Sequence, residues 1–359
     1  MRIGVNALYL IPGGVGGTEI YLRRLLGALA EIDQQNEYFV LTNRETRDLT
    51  PAAPNFHARP QPVAARIRPA RILWEQAALP VAARRLRLDV LFNPGFTGPA
   101  VCGCPRVTVF HDLQHKRHPE YFRWFDLPFW DLLLRVSVEV STRLIAVSDA
   151  TRQDLRLYYR ADATVIPHGV SPEFLEVAAQ RRPEPMLLCV STLHPHKNVD
   201  GLVRAFAKFR ERRPEFRLVL AGLRGFHAAA VEAAVEETHT RDAVEITGWI
   251  GQEKLLELYR RAWATIYPSR FEGFGLPVLE SMAAGVPLAC SDIPALREAA
   301  GDAALYFPPD DIEPALERIA FDEPLRRALA CAGAARAREF TWERAAKSTL
   351  DLLRAAARR

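Results

Sequence analysis

Short apolar runs alternate with longer amphipathic stretches along most of the chain. Residues 2–10 have a strand-type pattern. They lead through Pro12-Gly13-Gly14-Val15-Gly16-Gly17 into a helical pattern from about Thr18 to Ala30. Strand-type runs follow at 38–42, 88–92, 106–110 and 143–147, with a short one at Val165-Ile166 and a helical stretch over 125–140. Residues 51–71, rich in proline and arginine, show no clear period. The alternation then restarts with strand 186–190, helix 199–210, strand 216–221, helix 228–237, strand 244–247, strand 263–267 and a short helix 278–284. An amphipathic helix opened by Thr341 runs to about 354. Repeated strand–helix units predict an α/β fold with two doubly wound domains facing each other across a cleft. The boundary falls where prolines and charges replace the pattern, near 169–184. The expected domains are 1–168 and 169–340, with a terminal helical segment over 341–359.

Length agrees with this division, since 359 residues exceed one ordinary domain and a 49% hydrophobic composition can fill two cores. A net charge of +4 makes no case for nucleic acid. Five cysteines at 102, 104, 189, 290 and 331 form no disulfide framework, and Cys102 with Cys104 lacks the second pair of a zinc site. The N-terminal apolar run is too short for a signal peptide, and nothing approaches the ~20 apolar residues of a membrane span. A cytoplasmic protein is expected. Arg59, Arg66, Arg68, Arg71, Arg84, Arg85 and Arg87 crowd around Ile67, Leu73 and Trp74. They form either a surface that rests on anionic headgroups or a solvated helix face.

The chemistry concentrates in Pro268-Ser269-Arg270-Phe271-Glu272-Gly273-Phe274-Gly275-Leu276-Pro277-Val278-Leu279-Glu280. A strand ends there, glycines follow, and a proline suited to a first helical position opens a helix. Amides at a helix start, approached without side chains in the way, suit a phosphate. Glu272 and Glu280, eight positions apart, can address opposite ends of one ligand. A capped core helix explains the same local pattern. The N-terminal loop is not a dinucleotide fingerprint, because Glu19 stands where G-x-G-x-x-G from Gly14 needs glycine, and no P-loop lysine follows. His111-Asp112 ends a strand, where ligands of open α/β sheets gather. His111 and His115 have zinc-helix spacing, but Asp112 replaces the required glutamate and a strand precedes, so no metal is expected. Lys197, after strand 186–190, brings a point charge suited to phosphate.

The run Glu272 to Glu280, with Pro268-Ser269, Glu280-Ser-Met-Ala-Ala-Gly285-Val-Pro287 and Ser291-Asp-Ile-Pro-Ala-Leu-Arg-Glu298, resembles the E-x7-E signature of retaining GT-B glycosyltransferases of family 4. That resemblance implies two Rossmann-like domains, with the last helix crossing back to the first. It implies a nucleotide-sugar donor, no cofactor and no metal, consistent with the absence of the Asp-x-Asp handle of the other major glycosyltransferase fold. Gly16 and Gly17 then belong to the loop over the donor diphosphate. His111 hydrogen-bonds the transferred sugar, Asp112 lies near the acceptor, and Trp249-Ile250 belong to the base pocket. Lys197 binds the diphosphate beside His196, which stands where the family shows arginine. The region of Gly273, Phe274, Gly275 and Leu276 supplies amides, Glu272 holds sugar hydroxyls and Glu280 the ribose diol. Ser148, Gly169 and Arg270 are further candidates, with helix capping an open alternative for Ser148 and a core position for Trp249.

The run His111-Asp-Leu-Gln-His-Lys-Arg-His-Pro-Glu-Tyr-Phe122 resembles bacterial O-antigen and exopolysaccharide mannosyltransferases. It implies GDP-mannose as donor and a glycan or polyprenyl-diphosphate-linked acceptor. A nucleotide-sugar epimerase or hydrolase, or a non-catalytic nucleotide-sugar-binding partner, remains the alternative.

Overall fold

The apolar runs of the first half become one parallel sheet in the computed structural model, which describes residues 1–14 and 16–358. Its strands are β1 (Arg2–Asn6), β2 (Glu37–Leu41), β3 (Phe56–Ala58), β4 (Val90–Asn93), β5 (Arg106–Phe110), β6 (Arg143–Ala146) and β7 (Thr164–Val165). They lie in the order β3-β2-β1-β4-β5-β6-β7. A second parallel sheet follows, of β8 (Met186–Val190), β9 (Arg217–Ala221), β10 (Val244–Gly248), β11 (Ala264–Tyr267), β12 (Leu288–Ser291) and β13 (Leu305–Phe307), in the order β10-β9-β8-β11-β12-β13. Helices cover both faces of such sheets, so the strands are mostly apolar without alternation: β4, β11 and β12 are buried throughout, including Asn93, Thr265 and Ser291.

The chain divides into a first unit, Met1–Gly169 together with the segment starting at Thr341, and a second, Val170–Phe340. In each sheet the direction of chain progression reverses beside the first strand, between β1 and β4 and between β8 and β11. The loops leaving those strands therefore diverge at a topological switch point, the usual ligand position of open α/β sheets.

Three expectations need correction. The strand expected over 2–10 stops at Asn6, and Ala7, Leu8 and Leu10 are apolar because the loop itself is buried. The patternless stretch 51–71 contains β3 and the start of a helix, Arg68–Arg85. That helix buries Arg71, Ile72, Glu75, Leu79 and Ala83, a helical spacing hidden by a glutamate and an arginine on its inner face. Arg71 consequently does not belong to the basic surface read from its neighbours. No helix among the described residues is long and apolar enough to cross a membrane.

The terminal helix Trp342–Ala357 belongs to the first unit and packs against the helix Gly17–Ile32. Its inner face is Trp342, Ala345, Ala346, Thr349, Leu350, Leu353 and Ala356, and Thr341 Oγ1 caps it by accepting the Arg344 N–H at 3.1 Å. Gly169 admits the start of this helix: a Cβ there would lie 2.2 Å from the Trp342 nitrogen. Gly169→Ala is therefore expected to push that backbone away, destabilising the first unit by about 1–3 kcal/mol. Denaturant unfolding followed by tryptophan fluorescence checks this, and an unchanged first transition would refute it.

Candidate active site

In the second unit the loops after β8 and β11 meet at the switch point. The Arg270 N–H donates to the His196 carbonyl at 2.7 Å, tying one loop to the other. Lys197 Nζ donates to Glu272 Oε1 at 2.5 Å and to the Tyr267 hydroxyl at 3.1 Å. The ammonium also lies 5.4 Å from the Tyr267 ring centroid. Only 15% of the lysine side chain and 9% of the glutamate side chain are exposed, so each charge relies on the other to offset lost hydration. Burial, then the Glu272 carboxylate, holds the Tyr267 phenol well above its ordinary range, so it stays protonated.

Arg270 turns away from the Lys197–Glu272 pair. Its guanidinium donates to Asn198 Oδ1 at 3.3 Å and to Asp310 Oδ1 at 2.5 Å, while Asn198 Nδ2 donates to the Pro309 carbonyl at 2.8 Å. Arg270 thereby pins the loop. Asn198 takes a left-handed conformation, φ 53°, which turns the chain from the short helical turn Pro195–Lys197 into the helix Val199–Arg212. The His196 ring stacks on His194 with centroids 5.8 Å apart. Burial, with Lys197 and His227 adding, pushes the His194 imidazole below its ordinary range.

The helix after the glycines is Leu276–Ala283, two residues earlier than expected, so Pro277 is its second residue rather than its first. Gly275 is the N-cap at φ 108°, a backbone setting that L side chains rarely adopt, and a Cβ there would come 2.7 Å from Leu296 Cδ2. First-turn amides have no partner inside their own helix and carry the positive end of its dipole. Phe274 and Leu276 are buried, Phe274 against Phe340 with centroids 6.0 Å apart, so their amides rather than their side chains are suited to a ligand. Glu280, 8% exposed, accepts the Tyr259 hydroxyl at 3.2 Å. Trp249 is 67% exposed after β10, which excludes the core alternative, and Ile250 beside it is half-buried.

In the first unit the glycine-rich loop follows β1 at the other switch point. Gly16 is the N-cap of Gly17–Ile32 at φ 56°, and a Cβ there would touch nothing within 4 Å. Glu19 Oε2 accepts the Gly13 N–H at 2.8 Å, so the residue that breaks the dinucleotide pattern braces the loop.

His111 follows β5, buried, with Nε2 2.8 Å from the Pro94 carbonyl and the Tyr21 ring edge-on at 4.9 Å. A carbonyl only accepts, so Nε2 carries the proton and Nδ1 of the neutral ring is an acceptor. Burial pushes His111 down to about 4. Asp112 Oδ1 accepts the Gln114 N–H at 2.9 Å. His115 faces the Tyr159 hydroxyl at 3.0 Å, away from the partner of His111. No group of three potential metal ligands occurs among the described residues.

Two of the further candidates have structural roles. Ser148 is buried and its Oγ accepts the Thr151 N–H at 3.0 Å, the capping alternative, and Gly169 is covered by Trp342. Tyr267, Tyr259 and Asn198 were not singled out from sequence. Tyr267 and Tyr259 end an apolar strand and line a helix face, positions that resemble ordinary core.

Two parallel doubly wound units with polar clusters at their switch points are the GT-B glycosyltransferase architecture. The fold is shared with sucrose-phosphate synthase from Thermosynechococcus elongatus at a TM-score of 0.82, with 22% identity and coverage of 99% of this chain and 98% of that one. Residues 15–174 match Glycosyltransferase Family 4 and residues 171–336 match Glycosyl transferases group 1. O-antigen chain mannosyltransferase B of Escherichia coli is 32% identical over 263 residues, 68% of this chain and 69% of that protein. An MMP alpha-(1->4)-mannosyltransferase of Mycolicibacterium hassiacum is 30% identical over 81% of this chain and 74% of that protein. The chain belongs to this glycosyltransferase family.

Lys197→Ala leaves a carboxylate nearly enclosed without its cation, and the cost is expected to be a few kcal/mol, below the roughly 3–5 of a fully buried pair. Adding Glu272→Gln should recover most of the lost thermal midpoint, and no recovery would disprove the coupling. Burial disfavours the charged ring and pushes both His111 and His115 down to about 4, below the ~6.5 of an unfolded histidine. Their contribution is complete above about pH 6.5 and is lost as pH falls toward about 4. His115→Gln should accordingly flatten the fall of the thermal midpoint across that window, and an identical slope in both proteins would rule the effect out.

Proposed function

We propose that the protein is a metal-independent, retaining mannosyltransferase that takes mannose from GDP-mannose for a glycan or polyprenyl-diphosphate-linked acceptor in bacterial surface-polysaccharide synthesis. The observation that carries the reading is Lys197 held against Glu272 at the second unit's switch point, directly before the helix start at Leu276. Mannose is supported by the run 111–122 and by the names of the two mannosyltransferase relatives.

Transfer requires a nucleoside diphosphate to leave an anomeric carbon while negative charge grows on its oxygens. Lys197 has three N–H donors, of which Glu272 and Tyr267 take two. The third addresses a phosphate oxygen. The amides of Phe274, Gly275 and Leu276 add fixed donors, and such preorganised donors are the largest lever on a developing anion. His196 stands at the same loop and supplements them, while Gly16 and Gly17 cover the diphosphate. Glu272 retains an oxygen for a sugar hydroxyl, Glu280 takes the ribose diol, and Trp249 with Ile250 the base. His111 Nδ1 accepts from a sugar hydroxyl and Asp112 lies toward the acceptor. The leaving phosphate takes the acceptor proton on the same face, so configuration is retained without an enzyme nucleophile.

A peripheral contact at the cytoplasmic face of an anionic membrane fits this acceptor. It is supported by the arginines of 59–87 that remain at the surface and by exposed Trp124, Phe125, Phe129 and Leu132.

Radiolabelled GDP-, UDP-, ADP- and TDP-sugars, incubated with membrane extract and with EDTA present, test the reading. GDP-mannose should label glycolipid with the anomeric configuration retained. Glu272→Ala and Lys197→Ala should each lower kcat by about 100-fold or more. Glu280→Ala should act mainly on donor KM. Consumption of donor without acceptor would favour a hydrolase or epimerase, and binding without turnover a non-catalytic partner.

A further inference from the structure

Cys102 and Cys104 take no part in the chemistry above. They lie between β4 and β5 in the first unit, separated by Gly103, and their sulfur atoms are 3.5 Å apart. The segment is held from both sides. Arg106 Nη1 donates to the carbonyls of Pro99 at 3.0 Å and Ala100 at 2.8 Å, and the Ala100 N–H donates to Gln76 Oε1 at 2.8 Å. The thiols are thus brought together by a braced turn. Cys102 is half-buried, Gly103 is exposed and Cys104 is buried. Of the other cysteines, Cys189 and Cys290 are buried in the second unit and Cys331 is exposed.

The two sulfurs are unequal. Either sulfur can donate in the contact between them, and the half-buried one is Cys102. The hydrogen bond from Cys104, with the Cys104 backbone N–H and the nearby Arg106 charge, pulls the Cys102 thiol down to about 6 against the opposing effect of burial. Cys104 is pushed up, because it keeps the shared proton and is desolvated. An accessible thiolate beside a protonated, less accessible thiol is the division of labour between an attacking and a resolving cysteine. Disulfide formation needs the sulfurs to approach from 3.5 Å to about 2.05 Å. Gly103 gives the intervening peptide its freedom, and a Cβ there would meet nothing within 4 Å. A structural zinc ion asks for four ligands, and no group of three is present among the described residues.

We propose that Cys102-Gly103-Cys104 is a reversible dithiol–disulfide site whose co-reactant is a low-molecular-weight disulfide. The Cys102 thiolate attacks one sulfur of the disulfide, forming a mixed disulfide at Cys102 and releasing one thiolate. Cys104 then loses its proton to solvent and attacks Cys102 Sγ, which expels the second thiolate. Two protein thiols are oxidised by two electrons, and one small disulfide is reduced to two small thiols, which take up the released protons. Excess small thiol reverses both steps. The site is at the amino end of β5 and His111 follows the carboxyl end, about 16 Å away along five residues of strand. The exchange is therefore separate from the groups assigned to the sugar.

The test uses the full chain and oxidised glutathione at pH 6, quenched by alkylation and mapped by peptide mass spectrometry. The expected product is the Cys102–Cys104 disulfide, formed about tenfold ahead of glutathione addition at Cys331, because low pH favours the thiol with the lowest pKa. Cys104→Ser should trap glutathione on Cys102, and reduced glutathione should restore both thiols in the unaltered chain. Modification of Cys331 before the pair, in the unaltered chain and so without any question of misfolding, overturns the proposal. So does a folded Cys104→Ser variant whose Cys102 stays unmodified.

Discussion

A nearly enclosed ion pair between Lys197 and Glu272 joins the two loops that build the candidate site of the second unit. Neither charge could be taken out of water alone, and the pair is tolerated because Tyr267 offers the ammonium a second partner and the Arg270 amide ties the loops together. The two residues are 75 positions apart in the chain. They meet because β8 and β11 are neighbours in a sheet whose order reverses between them. Gly275, at a backbone angle that side chains resist, then aims the helix start from the same loop that carries Glu272.

The first unit repeats the reversal with different chemistry beneath it. At the ends of β1 and β4, Asn6 Nδ2 donates to Glu75 Oε2 at 3.1 Å and to Asn93 Oδ1 at 3.2 Å, and Thr97 Oγ1 donates to Glu75 at 3.2 Å. Burial pushes the Glu75 carboxyl upward against these donors and Arg71. A buried acid satisfied from several sides ties the helix Arg68–Arg85 to the end of β1 and to Thr97. Just past β4, the Pro94 carbonyl decides which His111 nitrogen carries the proton. The residue nearest the proposed sugar chemistry thus owes its tautomer to a backbone group outside every recognisable motif.

The last helix shows how a distant segment completes a unit. Trp342 stacks on His168, with centroids 5.9 Å apart, and His168 lies 5.0 Å from the Tyr21 ring, which borders His111. Removing the end of the chain would uncover the apolar face of the helix Gly17–Ile32. Its covering therefore comes from residues more than 300 positions later in the sequence.

Period and spacing alone determined a good deal. Short, mainly apolar runs such as Val107–Phe110 and Leu187–Cys189, recurring between helical stretches, point to interior strands of a parallel sheet, and strand, glycine turn and proline before Glu280 mark a helix start, because local sterics and desolvation favour them there. The helix Arg68–Arg85 was hidden because its inner face carries Arg71 and Glu75, charges whose burial makes sense only once Asn6 and Thr97 stand opposite. Tyr267 and Tyr259 looked like core for the opposite reason: their rings are buried, and only the fold shows that their hydroxyls face Lys197 and Glu280. Partners brought together by strand order are remote along the chain. Hydrogen bonding between them leaves no period to read, so tertiary structure decided which polar groups meet.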